Sequence, residues 1–419
     1  MRPGVSAGSA LTGLSATQLA FFNATKTAFI ETEEVSDGLG PTMNLDSCTG
    51  CHMQPAVGGS SPAVNPQIAF ANLNGARNTV PSFITANGPV REARFVKNPD
   101  GTPDGGVHAL FTIAGRADAS GCLLAQPDFP TQVRNNNVIF RIPTPTFGAG
   151  LIEQIPDSAI VANQATNTTQ KTAAGIRGRP NIVLSGNAIS GQTNRNGNDG
   201  TIARFGWKAQ NKSLLLFAGE AYNVEMGITN ELFQTERDET ASCQTMGTAN
   251  SVTNTDATMP VETLSDIEQF AIFMRFLAPP TPSLDTPGGS VSIGNGRSLF
   301  NSVGCALCHT PSLRTGNATV AALSGKDVNL FSDLLVHDMG DGLADGVSQG
   351  QAGPREFRSA PLWGLGQRIF FLHDGRTSDL LQAIKAHAST GSEANGVINN
   401  FNNLQESQKQ DLLNFLRSL

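Results

Sequence analysis

The sequence predicts a mainly α-helical fold of two similarly built domains, with loop-rich insertions that carry short strands. Three observations lead there: two distant copies of one cysteine-and-histidine motif, a helical apolar period ahead of them, and an amphipathic helix that closes the chain. The 419 residues include 44 Gly and 23 Pro, which demand abundant loops, and 23 Phe against one Tyr and two Trp, which furnish the core aromatics. No fixed Gly period runs through the chain, so a collagen-like fibre is excluded. A net charge of −7 argues against a nucleic-acid surface, which would display a basic face. No run approaches the roughly 18 apolar residues of a membrane span. The best candidate, Phe270 to Leu277, contains Arg275 and is closed by Pro279 and Pro280.

Four of the six Cys lie in Cys48-Thr49-Gly50-Cys51-His52 and Cys305-Ala306-Leu307-Cys308-His309. Two thiols one helical turn apart suit thioether bonds to the two vinyl groups of one haem, and the adjacent His then falls under the iron as an axial ligand. A thioredoxin-like C-x-x-C has no need of that His, and a zinc site would want its remaining ligands nearby. Two covalently attached c-type haems are therefore expected. Because such attachment takes place outside the cytoplasm, the chain is expected to be exported, to a bacterial periplasm, although Met1 to Ala20 lack the apolar run of a signal peptide. Cys122 and Cys243 lie outside the motifs; in an oxidising compartment they pair most simply as a disulfide, with two separate buried thiols as the alternative.

Leu14 to Val35 reads as a helix leading into the first motif, with Leu19, Phe22, Lys26 and Phe29 at helical spacing. Ser407 to Leu419 closes the chain with Leu412, Leu413, Phe415, Leu416 and Leu419 on one face. A helix, C-x-x-C-H, loops and a closing helix form the layout of a cytochrome c domain. Ser265 and Glu268 make a capping box for a helix through Phe276, and Pro279, Pro280 and Pro282 mark a linker. The boundary is placed near 285, giving an N-terminal cytochrome c-like domain over 14–285 and a C-terminal one over 286–419. Asn163 to Thr172 and Asn187 to Gly200 read as insertions, and Asn137 to Ile142 as a strand.

His108, His337, His373 and His387 are the candidates for positions opposite His52 and His309, and counting alone does not choose among them. Three segments bear on the choice: Leu335-Val336-His337-Asp338-Met339-Gly340, Arg355 to Gly366, and Phe371-Leu372-His373-Asp374-Gly375-Arg376. Together with Gly148 to Pro156 and Arg204 to Ala209, they resemble the di-haem oxidoreductase family, whose members are described as peroxidases or thiol oxidoreductases. More distantly the chain is similar to bacterial di-haem cytochrome c peroxidases, the methylamine-dehydrogenase maturation enzyme and the rubber oxygenases.

The resemblance implies that the residue fourteen after the F-H-D-G His is the distal ligand of the C-terminal haem, here His387, on a helix expected from Ser378 to His387. A bis-His iron, His309 with His387, suits electron relay better than substrate binding. His337 and His373 then read as structural, Arg376 as a propionate partner, and the position opposite His52 as either open or filled by His108. The resemblance also implies Glu153 as the acid–base group of an N-terminal catalytic haem, with Phe147 in its pocket. Trp207 and Trp363 assist electron transfer or fill an interface. Arg368 and Phe370 stand where peroxidase relatives have the Thr and Pro that accompany calcium, which makes calcium doubtful.

The expectation is a periplasmic di-haem peroxidase-like oxidoreductase. Its C-terminal haem is fed by a small redox protein, a cytochrome or copper protein, and its N-terminal haem acts on peroxide or another small oxidant. A substrate-free electron-transfer protein and an oxygenase acting on an apolar substrate are the alternatives.

Overall fold

The computed structural model describes residues 7–183, 199–245, 247 and 249–419. Residues 1–6 of the amino-terminal segment and 187–198 of the expected Asn187 to Gly200 insertion lie outside the described residues. The fold is mixed α with short strands, 34% helix and 11% strand. Among the described residues no helix is long and apolar enough to cross a membrane.

The first helix runs over Ala16–Ile30, starting later and ending earlier than its apolar period suggested. Its start is fixed by a capping box, in which Ser15 Oγ accepts from Gln18 N–H at 3.2 Å while Gln18 Oε1 accepts from Ser15 N–H at 2.9 Å. Val35–Asp37 forms a separate 3₁₀ turn. The helix buries Phe22, Thr25 and Phe29, and both Phe rings pack on Phe273 at 5.5 and 4.7 Å. Phe273 belongs to Asp266–Phe276, which begins at the expected Ser265–Glu268 box. Burying a ring such as Phe29 contributes about 1.5–3 kcal/mol.

Between these helices, Leu214–Met226 docks against the loop that enters the first motif. Gly227 ends it at φ +72°, where a Cβ would stand 2.2 Å from the Gly40 carbonyl oxygen, so only glycine permits the approach. Gly40 N–H donates to Met226 O at 3.0 Å, and Asn44 N–H to Glu225 O at 2.6 Å. The expected strand is seen at Val138–Arg141, antiparallel to Glu92–Phe95, which also pairs with Val107–His108. This register sets Glu92 opposite Arg141 and Arg94 opposite Ile139.

In the C-terminal part, Gly289–Ser302 and Glu406–Ser418 cross at Gly296, where a Cβ would stand 2.1 Å from Asp411 O. Phe300, Phe331 and Phe415 meet edge to face beneath the crossing. The helix expected from Ser378 to His387 is shorter, Leu380–Lys385, because Asp379 caps it by accepting from Leu381 N–H at 2.8 Å; His387 follows its end. The larger apolar core draws Leu313, Leu330, Leu334 and Trp363 from beyond residue 285. Cys122 and Cys243 are joined as a disulfide across a separation of 121 residues.

Candidate functional site

A cavity opens at the first motif, lined by Cys48, Cys51 and His52 and by apolar side chains that include Phe29, Phe270 and Met274. Four thiols, Cys48, Cys51, Cys305 and Cys308, are free, and burial pushes those of Cys48 and Cys305 up to about 12. Cys48 and Cys305 are thereby poor nucleophiles, unlike the activated thiol of a redox enzyme.

Three imidazoles share one arrangement. His52 Nδ1 lies 2.9 Å from Gly59 O, His309 Nδ1 3.0 Å from Phe331 O, and His387 Nδ1 2.8 Å from Ala383 O. A carbonyl can only accept, so each Nδ1 carries the proton and each Nε2 of the neutral ring presents its lone pair. Burial pushes all three below the ordinary His range; for His309, burial and then the neighbouring His387 bring it to about 4. His387 is thus within electrostatic reach of His309. The donor set is what an iron-centred macrocycle requires of its axial ligands.

The other histidines are engaged elsewhere. His337 is buried with Nε2 3.0 Å from Asp333 and Nδ1 2.9 Å from Glu393, so both nitrogens donate to carboxylates. His108 gives Nε2 to Asp104 at 2.7 Å and stacks on Phe95 at 3.7 Å, and the lining of the cavity at His52 does not include it. His373 stacks on Phe357 at 4.2 Å.

Glu153 is placed apart from the cavity wall, where both its oxygens are taken: Arg275 donates at 2.6 and 3.2 Å, and Leu214 N–H at 2.8 Å. It holds helices together rather than facing His52. Arg376 is likewise a surface residue, paired with Asp374 at 2.7 Å and donating to Gly342 O at 2.7 Å. Phe147 lines the adjoining pocket, with Trp207 and Trp363.

The cavity's polar wall was not foreseen. It carries Glu92, Arg94, Arg141, Glu220 and Glu225. Burial, and then the charge of Glu92, push the Glu225 carboxyl well above the carboxylate range. Burial pushes Glu92 up as well, but Arg94, a hydrogen bond with Glu225 and Arg141 outweigh it and leave it below that range. The two share one proton, on Glu225, whose Oε2 also accepts from Asn44 at 2.6 Å. Arg141 Nη2 meets Asp345 at 2.7 Å, while its buried Nε lacks a hydrogen-bond partner among the described residues. That unspent donor in the cavity wall fits the carboxylate of an incoming group such as a haem propionate. The sequence did hold a signal: Glu220 and Glu225 lie in a largely apolar helix and are buried with it, where a carboxylate is out of place unless it has a task.

Such a site, two C-x-x-C-H segments with neutral imidazoles and a cavity at the first of them, fits the class of haem redox proteins. Residues 101–419 match the family model described as "Di-haem oxidoreductase, putative peroxidase", and the chain belongs to that family. The family's description names an oxidoreductase, and the family implies haem cofactors. The matched span holds the second motif and His387, while the first motif precedes it. Among solved structures, Kuenenia stuttgartiensis hydrazine synthase aligns at 16% identity over 49% of this chain and 61% of its own, with a TM-score of 0.27. A MauG-like protein associated with microbial copper homeostasis aligns at 19% identity over 39% and 55%, with a TM-score of 0.25. The chain therefore spans less than two thirds of either structure. No protein of curated function matches it.

Proposed function

We propose that the chain is an exported, peroxide-using enzyme of two cytochrome c-like units, 14–285 and 286–419, each carrying one covalently attached haem. In this reading Cys48, Cys51 and His52 hold the catalytic group, and Cys305, Cys308, His309 and His387 hold an electron-relay group that a small cytochrome or copper protein feeds. The asymmetry between the two histidine sites carries the reading: His309 has a second neutral imidazole beside it, whereas the cavity at His52 has a proton-sharing carboxylate pair in its wall.

The bound haem would supply the iron at which a peroxide O–O bond breaks and the electrons for it. The chain's own residues supply the rest. Glu225 keeps a proton in the cavity wall, Glu92 stays anionic beside Arg94, and the pair can take the first proton of a peroxide and return it to the leaving oxygen. Apolar Phe29, Val90, Phe270 and Met274 also line the cavity and limit water in it.

Met226 and Met274 also line this cavity, and a thioether bound opposite His52 would instead favour a substrate-free electron carrier. An electron paramagnetic resonance spectrum of the oxidised protein separates the two. One high-spin and one low-spin ferric signal supports the enzyme; two low-spin signals that persist after half-reduction support the carrier.

A further inference from the structure

The chain contains one Tyr and two Trp among 419 residues, although it uses Phe 23 times. Phe does not give up an electron readily, whereas Tyr and Trp rings do. All three oxidisable rings gather in one place: Tyr222 and Trp207 line the cavity at His52, and Trp363 joins Trp207 in the adjoining pocket.

Tyr222 differs from the other two in having somewhere to send a proton. It is 2% exposed, and its ring packs edge-on against Phe270 at 5.1 Å. Its hydroxyl donates to Glu33 Oε1 at 2.9 Å, with Asp266 Oδ2 at 3.3 Å. A phenol loses an electron far more easily when its proton leaves in the same step, because a protonated phenoxyl cation is strongly acidic. The helix Leu214–Met226 therefore points a phenol into the cavity while two carboxylates from other elements take its hydroxyl.

We propose that Tyr222 is a redox-active residue that gives one electron to the oxidised haem of the His52 cavity while its phenolic proton passes to Glu33. The inference rests on the peroxide-using reading above. The oxidant is a peroxide, which withdraws two electrons from the loaded protein. Tyr222 returns one of them: its O–H bond breaks, a neutral phenoxyl forms, and a new O–H bond forms on Glu33 Oε1. Reduction by the external donor reverses the step, with the proton returning from Glu33.

The surroundings of Glu33 suit that exchange. Burial pushes its carboxyl up to about 7, so near neutral pH it can both take and release a proton. Asp266 beside it is half-buried. The absence of any other Tyr leaves no second phenol to which the hole could move.

Because the chain has one tyrosine, ring-deuterated tyrosine labels one position. The di-haem protein is treated with one equivalent of hydrogen peroxide, frozen, and examined by electron paramagnetic resonance alongside its haem absorption spectrum. The expected result is an organic-radical signal that narrows with ring-deuterated tyrosine, is unchanged with ring-deuterated tryptophan, and is lost in Tyr222→Phe and in Glu33→Gln. A haem spectrum that responds to peroxide, with no radical or with one that narrows only with labelled tryptophan, overturns the role of Tyr222 and leaves the peroxide reading standing. A haem spectrum that does not respond overturns the peroxide reading, and this inference with it.

Discussion

Glu225→Gln and Glu153→Gln should separate rate from stability in opposite directions. Glutamine has the shape of a protonated glutamate: at 225 it can accept from Asn44 through its oxygen and donate to Glu92 through its amide. The fold then loses about 0.5–1.5 kcal/mol, the difference between similar neutral hydrogen bonds. What it cannot do is release a proton, and removal of a positioned acid–base group slows the proton-dependent step by about 10²–10⁴-fold. At 153 the substitution removes the charge that meets Arg275. The two side chains are 11% and 31% exposed, so with solvent screening the loss is about 1–2 kcal/mol of stability, with little change in rate. Stopped-flow oxidation by peroxide, steady-state dye oxidation and thermal unfolding measured on the same preparations give both coordinates. Since the Glu225 carboxyl titrates above the carboxylate range, the wild-type rate should fall on the alkaline side, and that limb should vanish in Glu225→Gln. A rate loss in Glu153→Gln as large as in Glu225→Gln, with both haem spectra intact, would refute the assignment of the proton store.

Three further outcomes follow from the geometry. His387→Ala should turn the C-terminal haem from low to high spin in the resonance spectrum; an unchanged spectrum removes His387 as its ligand. The Glu33 carboxyl is raised by burial from 4.5 to about 7, so it stabilises the fold fully below pH 4.5, and that contribution, at most about 3 kcal/mol, is lost as pH rises to about 7. Glu33→Gln should flatten the dependence of the unfolding midpoint over this window, and an undiminished slope would assign it to other groups. Replacing Cys122 and Cys243 together by Ala opens a loop with a separation of 121 residues; in the chain-entropy model this costs about 4–5 kcal/mol, read as a lower denaturation midpoint with both haems still bound.

Features governed by neighbouring residues were legible in the sequence. The C-x-x-C-H motifs, the Ser265–Glu268 box and the strand around Val138–Arg141 depend on a few adjacent positions, and the structure shows these elements. Helix ends were read less well, because apolar periodicity says nothing of the caps at Ser15 and Asp379 that set them. The polar site was least legible. Glu153 has the right company in sequence, but its charge is taken by Arg275, 122 positions away. Arg376 was assigned to a propionate, yet Asp374 two residues back holds it. The Glu92–Glu225 pair joins a strand to a helix more than a hundred residues later, and only the fold brings them together.

The docking of Leu214–Met226 on the loop at Gly40 and Asn44 has a mechanical consequence. Asn44 is bound three times over: its N–H by Glu225 O, its amide nitrogen by the Glu225 carboxylate, and its amide oxygen by Leu110 N–H at 2.9 Å. Four residues downstream, that same loop becomes Cys48. The proposed proton store and the proposed anchorage are thus connected through Asn44, so replacing Asn44 would disturb both together. Enlarging the cavity for a bulkier oxidant would accordingly be better sought at Val90 or Met274, buried lining residues outside this connection, than anywhere along it.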